Sequence, residues 1–154
     1  PGAGFWPMML GVLIIVFSVC LLFSTIKNKE KLDSLMIPIA ELGVTKLYLF
    51  REQTYYGRCV IAYKDHGVEL TDLSPEESAL FIQDMQRVGK AITAAVNPNY
   101  GMFSDTLPHL HVHIVPKQKD GYGFGGTFEM NVNPPKYLTD EEYEVIINKI
   151  KENL

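Results

Sequence analysis

Three of the four histidines in this 154-residue chain stand at alternate positions, in the run His109-Leu110-His111-Val112-His113-Ile114-Val115. Alternate side chains of a strand share a face. The spacing therefore sets three imidazoles together and sends Leu110, Val112 and Ile114 toward a core. Rings placed side by side lower one another's proton affinity, because a second nearby cation is disfavoured. A neutral imidazole is a nucleophile, and a flanking ring can donate to a developing oxyanion, so the arrangement suits attack on phosphorus. Metal binding is a second reading, since imidazole is the commonest metal ligand. His109 and His113, however, lie roughly 13 Å apart along a strand that rises ~3.3 Å per residue. All three therefore do not easily close on one ion at ~2 Å bond length, and a metal site would need outside ligands such as His66 or Asp105. A polar, partly solvated strand face is the third reading, and a chance alternation of three histidines among four speaks against it.

Other elements must hold that strand in place. Residues 45–51 and 58–64 are rich in β-branched and aromatic side chains and predict two strands. Glu52 to Gly57 forms the hairpin connection between them. Ser74-Pro75-Glu76-Glu77 predicts a helix start: Ser74 caps, Pro75 suits the first turn, and Glu77 closes a capping box. Phe81, Met85, Val88 and Ile92 follow at helical spacing, and Asn97-Pro98 ends the helix. Residues 100–103 and 110–115 predict two further strands, followed by a flexible glycine-rich loop, Gly121 to Gly126. Thr139-Asp140-Glu141-Glu142 opens a last helix with Tyr143, Ile146, Ile147 and Ile150 on one stripe. Hairpins packed under helices give an α+β fold with an antiparallel sheet.

The run from His109 to Val115 fits, position by position, the alternating signature of the histidine-triad (HIT) family, which this sequence resembles over most of residues 45–154. Asn99-Tyr100-Gly101 stands where that family has an Asn-x-Gly turn. The segment Gly57 to His66 is similar to its glycine–histidine hairpin segment, and Pro116-Lys117 follows the triad as in relatives. The resemblance implies a sheet of about five strands with two helices. It implies a nucleotide hydrolase or transferase acting at the α-phosphate of nucleoside phosphoramidates or dinucleoside polyphosphates. Carried over by position, His111 is the nucleophile and forms a nucleotidyl-histidine intermediate. His109 orients it through its backbone carbonyl, and His113 hydrogen-bonds a phosphate oxygen. Asn99 and Thr106 fall at phosphate or leaving-group contacts, and Glu52 and Gln53 fall near the ribose. The resemblance also implies a purine nucleotide as substrate partner, a two-fold homodimer, and no cofactor. Relatives that bind structural zinc carry an N-terminal Cys-x-x-Cys; this chain has none, so no metal is expected.

Two departures from the family pattern stand out. Asp105 replaces a glutamine before the triad, and a carboxylate beside a polyanion favours an amine leaving group or a metal-bound substrate, or else serves a turn. Arg58 replaces the hairpin histidine, where a permanent cation can hold a phosphate or pair with Asp105. A nucleotide-binding sensor with little turnover, its site distorted by these two residues, is therefore a second functional class. A membrane-tethered interaction protein with an incidental triad is a third.

The chain carries 14 basic and 18 acidic residues, a net charge of -4, which argues against a protein that coats nucleic acid. Cys20 and Cys59 are too few for a disulfide framework or a four-sulfur zinc site. Residues 5–26 carry no charged side chain, and as a helix would span about 33 Å, enough for a bilayer core of ~30 Å. Lys27, Lys29 and Lys31 follow, which by the positive-inside rule leaves the rest of the chain in the cytoplasm. The basic n-region and small-residue cleavage site of a signal peptide are not evident. An upstream extension of the gene's true start is the other reading of the leader, since the sequence opens on Pro1. The expected organisation is thus an apolar segment and basic linker over 1–31, a membrane anchor through 5–26, and a catalytic domain over 32–154.

Overall fold

A computed structural model of the chain describes residues 5–92, 98–104 and 107–154. Asp105, Thr106 and the expected helix stop at Asn97 lie outside the described residues. The chain separates into two compact units, one ending at Leu35 and one spanning Met36–Leu154.

The first unit is one helix, α1 (Phe5–Leu35), apolar on every side through its first twenty-odd residues. It runs past the expected end at residue 26 because the next stretch is built largely of Lys, Glu and Leu, all good helix formers. From Met8 onward it is long and apolar enough to cross a membrane, by length and composition.

The second unit is a five-stranded antiparallel sheet with two helices on one face. Its elements are β1 (Met36–Glu41), β2 (Thr45–Phe50), β3 (Cys59–Tyr63), α2 (Pro75–Ile92), β4 (Pro98–Met102), β5 (His111–Pro116) and α3 (Asp140–Glu152), with a short 3-10 turn at Leu70–Asp72. The strand order is β1-β2-β3-β5-β4. The residues themselves predict four of these strands. β1 escapes that reading because Pro38 interrupts it, and proline cannot donate to a ladder. It is tolerated here because β1 is an edge, with an irregular register between Pro38 and Ala40.

Alternation divides the sheet cleanly. Leu47 and Leu49 of β2, Cys59 and Ile61 of β3, and Val112 and Ile114 of β5 are buried against Phe81 and Val88 of α2 and against Tyr143, Ile146 and Ile150 of α3. Both predicted capping boxes form: the Glu77 amide bonds Ser74 Oγ, and the Glu142 amide bonds Thr139 Oγ1. Asp84, buried on α2, accepts from the amides of Gly43, Val44 and Thr45 and from the Thr45 hydroxyl. That one carboxylate fastens the β1–β2 turn to the helix layer. The opposite face, left uncovered by α2 and α3, carries His111 and His113.

Candidate active site

β5 lies between β3 and β4, so His113, in the middle of the strand, has a neighbour on both sides. Val60, His113 and Gly101 form one cross-sheet row, and Ala62 stands beside His111 in the next. The His111 and His113 rings meet edge-on with centroids 5.4 Å apart. The strand starts at His111 rather than at residue 110. Proline at 108 supplies no amide for a ladder, and His109 sits in the bend that follows, its own amide bonded to the Leu107 carbonyl. The triad is therefore two strand imidazoles and one that belongs to the entry turn.

Each ring has a partner that fixes a proton. His111 Nδ1 lies 2.7 Å from the carbonyl oxygen of His109. A carbonyl only accepts, so Nδ1 donates, and in the neutral ring the lone pair is left on Nε2. His109 Nε2 lies 2.8 Å from the carbonyl oxygen of Tyr63 and donates to it, tying the bend to β3. His113 Nδ1 lies 3.3 Å from Nη2 of Arg58. A guanidinium only donates, so Nδ1 accepts and the proton of a neutral His113 is on Nε2. Burial, then the Arg58 charge, then His111 push the His113 pKa down to about 3, so the ring is neutral at ordinary pH.

Arg58 is fully buried. Nη1 donates to Glu52 Oε2 at 3.3 Å and to the Met130 carbonyl, and Nη2 also donates to Met130 Sδ. The guanidinium lies 4.2 Å from the centre of the Phe50 ring, and burial lowers its pKa against the opposing pull of Glu52. Glu52 also accepts from the Thr54 amide, and Gln53 bonds the Phe50 and Arg58 carbonyls and the Gly57 amide. Both side chains are thus buried braces of the β2–β3 loop, whose turn closes at Gly57 with φ of 87°. Asn99 is on β4, half-buried, and its Oδ1 has no hydrogen-bond partner among the described residues.

An aromatic wall that the histidine spacing does not announce surrounds His113. Phe50, Phe103 and Phe128 stand 5.6, 6.3 and 6.3 Å from its ring. Phe103 could have been found by its spacing from Gly101 on the same strand extension. Phe128 and Met130 come from a loop without periodicity, so no local signal exists for them. They fit because Gly101 has no side chain: a Cβ there would stand 2.6 Å from Phe128 and 2.8 Å from Phe103. The glycine-rich loop before them is fastened by Lys117, buried, whose ammonium donates to the carbonyls of Gly123 and Gly126. Among the described residues no group of three His, Cys, Asp or Glu is placed to share a metal ion.

Residues 49–120, from late β2 to just beyond β5, match the model of the HIT domain. The chain carries a histidine-triad (HIT) domain. Its five-stranded sheet superposes on a histidine-triad protein of Sinorhizobium meliloti with a TM-score of 0.74 at 22% identity, covering 81% of this chain and 94% of that one. A second, from Bradyrhizobium japonicum, gives 0.72 at 21% identity over 80% and 93% of the two chains. These likenesses establish the HIT fold. In sequence the chain is 26% identical over 127 residues to the adenosine 5'-monophosphoramidase of Schizosaccharomyces pombe, spanning 77% of this chain and 88% of the relative. At the level of the family, the HIT domain is one of nucleotide binding and hydrolysis.

Proposed function

We propose that this HIT domain hydrolyses nucleotide conjugates at the α-phosphate through a nucleotidyl-histidine on His111. Nucleoside phosphoramidates are the preferred substrates and dinucleoside polyphosphates the second class. The observation that carries the reading is the 2.7 Å bond from His111 Nδ1 to the His109 carbonyl, which leaves Nε2 as a lone pair. In the first step Nε2 bonds to the α-phosphorus while the bond from phosphorus to the leaving nitrogen or oxygen breaks, and the leaving atom takes up a proton. In the second step water attacks the same phosphorus, the N–P bond breaks, and a nucleoside monophosphate leaves. One hard displacement becomes two easier ones. His113, neutral with its proton on Nε2, donates to a phosphate oxygen as charge builds. The name of the 26% identical relative favours the phosphoramidate arm.

Around this centre Asn99 offers the leaving group an oxygen with no partner among the described residues, and by their place in the sequence Thr106 and Asp105 are the further candidates for phosphate or leaving-group contacts. Glu52 and Gln53 shape the β2–β3 loop rather than grip the ribose, because their polar atoms are already committed. Two copies pair by joining sheets, for which β1 and β4 are the edges. α1 anchors the domain to a membrane on its cytoplasmic side, with Lys27, Lys29 and Lys31 at the interface. The test is a panel of adenosine 5'-phosphoramidate and diadenosine polyphosphates. AMP release that vanishes in His111→Ala supports the proposal. No release from any of them, or tight AMP binding with no turnover, favours the sensor instead.

A further inference from the structure

We infer that Arg58 is a positioning residue for His113: buried on Glu52 and Phe50, it donates to Nδ1 and holds the imidazole proton on Nε2, the nitrogen the reaction needs as a donor. The inference rests on the reading of His113 as the phosphate donor, and deepens it. Three observations carry it together. Arg58 Nη2 is 3.3 Å from His113 Nδ1, and a guanidinium does not lose its proton, so it has only one role to play toward that nitrogen. The guanidinium is fixed by Glu52 at 3.3 Å, by the Met130 carbonyl at 3.2 Å and by the Phe50 ring beneath it, so its direction is not free to change. It is also fully buried, which leaves it ill placed to meet a phosphate directly.

A neutral imidazole alone in a site samples both tautomers, and half-measures in the donor's position cost transition-state stabilisation. A histidine in place of Arg58 would itself be donor or acceptor depending on its own proton. An arginine removes that freedom at every working pH. The charged and titratable groups facing His113 are Arg58 from the β2–β3 connection and His111 on its own strand, and the Phe50, Phe103 and Phe128 rings stand around it, while Glu52 and Met130 bond Arg58 instead. Protonating His113 would set a cation against Arg58, so the donor persists into acid.

The experiment uses the full chain in detergent micelles, labelled with nitrogen-15 histidine, and long-range proton–nitrogen correlation from pH 8 to 4.5. With only four histidines the spectrum is assignable by single substitutions. His113 is expected to show an unprotonated Nδ1 and a protonated Nε2, unchanged over that range. A proton on Nδ1, or a doubly protonated ring above pH 5, overturns the inference without any variant being needed. In Arg58→His the two tautomers are expected to mix, with kcat on adenosine 5'-phosphoramidate falling about tenfold at pH 5.5 and less at pH 8. Arg58→Lys, which keeps a permanent donor, should restore part of both signals. An unaltered His113 pattern in folded Arg58→His also overturns it. If instead the pattern holds in the native chain but no substrate turns over, the hydrolase reading fails and the tautomer assignment stands.

Discussion

At the scale of single residues, the proton on each imidazole is decided by a partner with no choice of role. The His109 and Tyr63 carbonyls accept, and the Arg58 guanidinium donates. His111→Ala removes the Nε2 lone pair that the proposed first step uses and should therefore lower activity by on the order of 10³-fold or more. His113 leaves a trace in stability as well. Its pKa is about 3 folded and ~6.5 unfolded, so between those values the unfolded chain binds a proton that the native one refuses. Stability then falls as pH drops through that window. Urea unfolding of residues 36–154 should lose about 1 kcal/mol more between pH 6 and 5 than His113→Asn does. Equal slopes would mean that the ring titrates normally. The histidines were legible because alternation alone puts side chains on one face. The work of Arg58 was not, because it depends on which residue of β3's approach lies beside His113, and register across non-consecutive strands leaves no mark on either segment.

At the scale of elements, the helices and inner strands were readable from capping boxes and alternation, and the misreadings share a cause. β1 hides behind Pro38, and the start of β5 moves to His111 because Pro108 precedes the bend. In both places proline overrides a pattern that apolar spacing suggests. The β1–β2 turn depends on Asp84, 39 to 41 residues away, for four hydrogen bonds. Asp84→Ala strands buried amides and should cost about 3 kcal/mol of stability in urea unfolding. It should leave kcat within a few-fold, because the carboxylate lies on the helix side of the sheet. The β4–β5 pair makes the opposite case. Gly101→Ala drives a methyl into Phe128 and Phe103 and shifts the rings that hem His113. A folded variant with kcat/KM reduced about tenfold, or ~1.4 kcal/mol in the barrier, is the expected result. Unchanged kinetics would detach the aromatic wall from the chemistry.

At the scale of the whole molecule, the break in composition at Lys27 announced two parts, and the backbone divides at Leu35 because the helix continues through the charged stretch. The full chain should sediment with membranes in detergent-free fractionation and resist a high-salt wash, while residues 36–154 alone stay in the supernatant and keep their activity. Full-length protein wholly in the supernatant would end the anchor reading. Catalysis as proposed depends on a covalent bond between one imidazole nitrogen and phosphorus. Intact-mass analysis of an acid-quench-free, rapidly desalted mixture with adenosine 5'-phosphoramidate measures that bond most directly. A transient gain of one adenylyl group, mapped to His111 and absent from His111→Ala, is expected; release of AMP with no such adduct, or an adduct elsewhere, would contradict the covalent step.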